Sequence, residues 1–319
     1  MAGKGPVKGS RAYWHRKRAS RMVPRLRAWR HDGKGGTGFL GYKAGMTQMV
    51  MVDDSESPLK NQEVTRAATV VEVPPAFVYS IVAYVMGDGG LKAAGESPAL
   101  NAPKQLKNVI SVAKKAKMKP EDLGKIEGLA DVRVMACSEP WKASFKKSSD
   151  VFEMPVNGAD AKEKLEYAKS VLGKELRVSD LFQEGEYLDV TAVTTGRGWQ
   201  GVVKRFGVAL NPRKATKSRR HGGTLGAEKQ GKVMYTIPRA GQMGFHRRTE
   251  RNKRIMLIGD ASKVQQVQPK GGFPHFGVIK GDFIVVEGSL PGPAKRVLRF
   301  RRSLHGRQAK KPQVKQFGY

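Results

Sequence analysis

The sequence predicts a β-rich fold, a barrel of short strands carrying an inserted α+β region and long basic extensions. Three observations predict it. Short runs rich in Val, Ile, Leu and Tyr alternate with Gly/Pro punctuation across 39–86 and 186–300. The stretch 87–180 changes character and holds the clearest helical period. The basic residues gather in three segments, set apart from a near-neutral remainder.

Taken in order, residues 1–36 read as an extended basic arm. FLGYKAGMTQMVMV, 39–52, predicts a strand, a Gly turn and a second strand. Residues 64–73 and 76–86 predict two more strands, split by Pro74-Pro75. The second, AFVYSIVAYVM, is too short to cross a bilayer and reads as core. GDGGLKAAGESPALNAPK, from Gly87, is loop-like. Strands follow at 132–137 and 150–156, then a helix at 160–172 with Ala161, Leu165, Ala168 and Leu172 on one face and Gly173 closing it. In EYLDVTAVTT, Leu188, Val190, Ala192 and Thr194 share one face. Further strands are expected at 202–206, 254–258, 282–287 and 296–300, with one at 233–237 inside an otherwise aperiodic stretch. The domain reading is a body of 37–86 and 181–300, an insertion at 87–180, a basic central loop at 207–254 and a basic tail at 301–319.

Composition bounds the function. The chain of 319 residues carries 59 Lys+Arg against 28 Asp+Glu, a net +31. Residues 1–34 hold 11 basic and 1 acidic residue, 204–254 hold 15 and 2, and 295–319 hold 9 and none. Such segments repel one another unless a polyanion neutralises them. A membrane-binding basic helix needs an apolar face opposite its charges, and RKRASRMVPRLRAWRHDGKGG has none and is broken by Pro24. Trp29 within it, and Tyr13 and Trp14 just ahead of it, stand among the arm's arginines instead, which suits base stacking and phosphate pairing. Nucleic acid is the expected partner, and no membrane.

The single cysteine, Cys137, sits in an apolar stretch and excludes a disulfide framework. The N-terminus lacks the apolar region of a signal peptide. GRGWQG, 196–201, matches the glycine pattern of a dinucleotide turn, but no helix of useful length is expected after it, and SRRHGG stands where an acid would meet the ribose. There is no P-loop, and the six histidines lack metal-ligand spacing. No enzyme, cofactor or metal is expected. The glycines of GRGWQG instead suit close backbone approach to phosphate or a bend at a barrel edge. Trp199 reads equally as a packing or a stacking group.

Phe182, Asp189, Ala192, Thr194, Gly196-Arg197-Gly198, Gly201 and Arg205 fall at the spacing of a known signature. With GFLGYKAGMTQ, HGG, RAGQMGFHRRTERNKRI and FPHFGVIKGDFIVVEGSLPGPAKRVLRFR, the stretch from about 36 to 302 resembles the universal large-subunit ribosomal protein L-three family. The long insertion resembles its archaeal and eukaryotic branch. The resemblance implies a translation-protein type six-stranded β-barrel and a cytoplasmic, ribosome-bound structural protein. Its implied partners are large-subunit rRNA and neighbouring ribosomal proteins, with a part in early subunit assembly. The central loop would run through rRNA towards the peptidyl transferase centre. Eukaryotic relatives carry a Trp near the loop tip; the corresponding position here is Glu228, which leaves no ring to stack there. A DNA-compacting protein or a translation factor is the alternative.

The residues expected to meet rRNA are, in the arm, Arg11, Arg16, Lys17, Arg18, Arg21, Arg25, Arg27 and Arg30. At the glycine-rich turn they are Arg197, Trp199, Lys204 and Arg205. In the loop they are Arg213, Lys214, Lys217, Arg219, Arg220, His221, Lys229, Lys232, Arg239, His246, Arg247, Arg248, Arg251, Lys253 and Arg254. Towards the C-terminus they are Arg299, Arg301 and Arg302.

Overall fold

A computed structural model describes residues 16–30, 33, 35–113, 115–214, 218–306 and 309–318. Among the described residues strand accounts for 37% and helix for 12%, so sheet pairing organises the core. The first strands are β1 (Gly35–Gly36), β2 (Gly38–Val52), β3 (Glu63–Glu72), β4 (Ala76–Gly87) and β5 (Gly90–Pro98). After two short 3-10 helices, Lys104–Asn108 and Asp122–Lys125, come β6 (Leu129–Ser138), β7 (Val151–Asn157), helix α1 (Ala161–Val171) and β8 (Glu175–Leu176). The chain continues through β9 (Tyr187–Val193), β10 (Trp199–Gln200), helix α2 (Val202–Phe206), β11 (Gly241–Gln242) and β12 (Arg247–Gly259). It closes with β13 (Phe283–Glu287), β14 (Val297–Arg302) and β15 (Val314–Gly318).

Seven strands form one sheet in the order β14-β9-β12-β13-β3-β2-β15, and β14 also pairs with β2. A second sheet runs β1-β7-β6-β4-β5, with β8 on β4. Val, Ile and Phe side chains of β2, β3, β9, β13 and β14 are buried together, as their β-branched and aromatic composition favours. On β9 both faces are buried, so Asp189 and Thr191 are inside with Leu188 and Val190.

Tyr42 of β2 reaches the second sheet. Its hydroxyl donates to Asp150 at 2.7 Å and lies 2.7 Å from the Ser138 hydroxyl. Burial first, and then the Asp150 carboxylate, push the phenol well above its ordinary pKa, so the proton stays on the hydroxyl and the hydrogen bond keeps its direction. Helix α1 buries Leu165, Ala168 and Val171 and anchors to β6 through Lys164 and Asp131 at 3.0 Å. Its N-cap is Asp160, and Gly173 beyond its end takes φ 71°, a conformation glycine adopts without strain.

Several segments differ from expectation. Residues 38–52 are one strand with a bulge between Lys43 and Gly45 rather than a hairpin. A Cβ on Gly45 would lie 2.3 Å from the Phe273 ring, so this glycine serves close packing and not a turn. The loop-like residues after Gly87 form β5, an exposed edge strand registered by the Gly87–Gly90 hairpin. β4 pairs with β5, β6 and β8, not with the body strands that precede it. Residues 202–206 are helical, because Gly207 at φ 67° closes a single turn with its N–H on the Val203 carbonyl. Residues 233–237 form no strand, and between α2 and β11 the described residues hold no helix or strand.

The chain divides into two compact units. One comprises Met1–Met22 with Val193–Arg248, the other Val23–Ala192 with Thr249–Tyr319.

Candidate nucleic-acid interface

In the first unit, β10 and β11 form a two-residue ribbon that registers Trp199 with Gln242 and Gln200 with Gly241. The ribbon depends on glycine. Gly244 takes φ 71°, and a Cβ there would lie 2.1 Å from the Thr195 carbonyl oxygen. GRGWQG and RAGQMG are thus two sides of one tight crossing. Gly201 leads into α2, a single turn, where a dinucleotide site needs a full helix. Trp199 is 77% exposed, which removes the packing reading and leaves an indole face open beside exposed Arg197.

Arg205 is anchored. Its Nε donates to the Gln242 carbonyl at 3.1 Å and its Nη1 to the Arg239 carbonyl at 2.8 Å. Burial, and then neighbouring Arg16, lower its pKa. His246 is buried, and its N–H donates to Thr194 Oγ1 at 3.1 Å. Its Nδ1 lies 2.8 Å from the Lys17 carbonyl; a carbonyl only accepts, so Nδ1 carries the proton. Burial pulls the His246 pKa below its ordinary value, Arg248, Arg16 and Arg205 add to this, and the Lys17 bond opposes it. Arg205 and His246 therefore brace the root of the loop.

Most of the other described cations of this unit face outward. Lys17, Arg18, Arg21, Arg197, Lys204, Arg213, Lys214, Arg219, Arg220, His221, Lys229, Lys232, Arg239 and Arg247 are exposed, and Arg16 and Arg248 are half-buried. Arg18 lies over the Phe245 ring at 5.1 Å, and Ala19 N–H donates to the Phe245 carbonyl, which docks the arm residues on the loop's return. Arg11 and Lys217 lie outside the described residues.

In the second unit the predicted cations separate into two groups. Arg25, Arg27 and Arg251 are exposed. Arg30 is half-buried and donates to the Ser303 carbonyl at 3.4 Å, and Lys253 is half-buried. Arg254, Arg299 and Arg301 are inside the fold, so the expectation that they face RNA gives way to a structural role. Arg254 makes two bonds to Asp54, at 2.8 and 2.6 Å, and a third to the Lys310 carbonyl. Arg299 is 3% exposed, donates to the Pro24 and Glu153 carbonyls, and lies over the Trp29 and Phe152 rings. Burial pushes its pKa down to about 10, which still leaves it charged at neutral pH. Arg301 pairs with Asp189, and Arg302 donates to the Leu181 carbonyl at 2.9 Å. The signal was present in VLRFRR: period two puts Arg299 and Arg301 on the face of Val297, with Leu298 and Phe300 opposite. Among the described residues no group of His, Cys, Asp and Glu could hold a metal ion, and no helix is long and apolar enough to cross a membrane.

What this arrangement can do is bind a polyanion through an open, cation-rich surface that includes the exposed indole of Trp199. Comparison with known proteins gives that surface its context. Residues 3–316 match the family described as Ribosomal protein L3. The large ribosomal subunit protein uL3 of Methanopyrus kandleri is 42% identical over 309 residues, covering 93% of this chain and 84% of that one. Its namesake from Methanothermobacter thermautotrophicus is 42% identical, covering 97% and 95%. The namesake from Caldivirga maquilingensis is 43% identical, covering 93% and 89%. With a match across nearly its whole length and relatives at this identity, the chain belongs to the ribosomal protein L3 family.

Proposed function

We propose that this protein is a structural constituent of the large ribosomal subunit that binds large-subunit rRNA and supports early subunit assembly. One observation carries the reading beyond family membership: the first unit holds 20 Lys and Arg against a single acid, Glu228. No isolated fold gains from such an imbalance, whereas RNA phosphates neutralise it and release counterions. The seven-stranded sheet then serves as the platform. Pairing of β14 with both β9 and β2 supports a closed six-stranded barrel of β2, β3, β13, β12, β9 and β14. On this reading 1–36 is an arm, 87–180 an insertion, 207–254 a loop placed near the peptidyl transferase centre, and 301–319 a tail. Neighbouring ribosomal proteins are further partners, and the cytoplasmic ribosome is the location.

Two measurements test this. Affinity for large-subunit rRNA fragments should fall steeply with salt; a shallow slope overturns the electrostatic reading. The protein should also stay with large subunits through a high-salt wash. Dissociation there would favour a translation factor instead.

A further inference from the structure

A cavity of about 400 Å³ lies wholly within the first unit, at the root of the loop. Among the described residues, four cations line it, Arg16, Lys17, Arg205 and Arg239, and no acid does. The other described lining residues offer apolar surface: the rings of Phe206 and Tyr235 with the side chains of Val233, Met234 and Ile237. Arg16 and Arg205 share the Phe206 ring, 4.6 and 5.0 Å from its centroid, so two like charges are held close together. Lys17 and Arg239 are exposed, and Tyr235 is 64% exposed.

Each half of this lining excludes a simple occupant. A bare phosphate or sulfate would gain from the cations and lose hydration against the apolar side. An apolar ligand would leave the cations unanswered. An A-form duplex presents phosphates but keeps its base faces stacked inside. An unpaired nucleotide answers both halves, because its base offers a flat face for stacking and its phosphates accept from Lys and Arg. The volume lies within the range of about 300–1,000 Å³ usual for small-ligand sites.

We propose that this cavity receives one unpaired nucleotide of RNA, its base against Tyr235 and its flanking phosphates on Lys17 and Arg239. The inference rests on the RNA-binding reading above and adds to it a place where unpaired RNA is told from helical RNA.

The test uses the full chain and fluorescence anisotropy with two probes: a single-stranded RNA of about ten nucleotides, and a blunt RNA duplex with the same number of phosphates. Tyr235→Ala should weaken single-strand binding about tenfold and duplex binding less than about twofold. Tyr235→Phe, which keeps the ring, should restore the single strand. Arg239→Gln should weaken the single strand more than the duplex. Lys229→Gln, an exposed cation that does not line the cavity, should weaken both alike. Equal loss for both probes, or none, with Tyr235→Ala overturns the proposal. So does polyglutamate that displaces the single strand as well as RNA does, since that would mark an acidic-peptide site. If the unaltered chain binds neither RNA, the RNA-binding reading itself falls, which is a separate result.

Discussion

Asp189 and Arg301 stand opposite each other on β9 and β14 and both are buried. Asp189 Oδ2 accepts from Arg301 Nε at 3.2 Å and Nη2 at 3.0 Å, and its Oδ1 accepts the Asn252 N–H at 3.1 Å. Arg301 Nη1 is held by the Ala28 carbonyl. Asp189→Ala would leave a guanidinium inside the sheet with one neutral acceptor and strand the Asn252 N–H. Removing one partner of a buried ion pair costs about 3–5 kcal/mol. Against a total stability of about 5–15 kcal/mol, that is a large share. Arg301→Met alone should also destabilise, by stranding the carboxylate. The double variant Asp189→Ala/Arg301→Met buries no charge and should lose less than the two single losses together, with a coupling of about 2–3 kcal/mol. Urea unfolding followed by the fluorescence of the four tryptophans measures all three. Additivity within about 0.5 kcal/mol would refute the reasoning. So would an Arg301→Met protein of unchanged stability and abolished RNA affinity, which would return Arg301 to the RNA surface.

Trp199→Ala should change stability by no more than about 0.5 kcal/mol, because the indole is open, while weakening single-stranded RNA binding by about 1–3 kcal/mol. Thermal melting and RNA titration read the two effects separately. Replacing Arg197, Lys232 and Arg247 by Gln, one at a time, should each lower the steepness of the log affinity against log salt plot by about 0.7–0.9 for every phosphate no longer neutralised. An unchanged slope in all three would remove them from the interface. His246 gives a pH dependence. Its folded pKa lies below its ordinary value of 6.5, so below that value the unfolded chain binds more protons than the folded one. Stability should be fully present above about pH 6.5 and fall as pH drops towards the folded pKa, and His246→Gln should flatten that part of the profile. An equal decline in the variant would assign the effect to other groups.

How much was legible depended on whether side-chain pattern or backbone placement decided the outcome. β3, β4, β9 and β13 carry their apolar residues in the sequence, and helix α1 carries its period and its closing Gly173, so each was readable. β5 was not, because GLKAAGES is polar and is held as a strand by β4 and its glycine hairpin. α2 was misread because Val202-Val203 favours strands in isolation, while Gly207 ends the segment after one turn. Counting charge found the first unit's cationic surface but carried no direction. It therefore placed Arg254, Arg299 and Arg301 with the exposed cations. Asp189, the one charged residue of its strand, was the visible hint that a buried cation awaited it.

The seams of the larger sheet have a consequence in time. Thr47 on β2 donates to the Gly318 carbonyl on β15, 271 residues further along, and β14 also meets β2 from near that end. At about 5–20 residues per second, synthesis separates those partners by roughly a quarter of a minute to a minute. Every strand of the second sheet is made before β9 begins. That sheet can therefore mature on the nascent chain while β2 waits with an unpaired margin, open to mispairing. Fragments ending at residue 186 and released from the ribosome should resist protease across β4–β8 while β2 is still cut; equal protection of both would contradict this order of assembly.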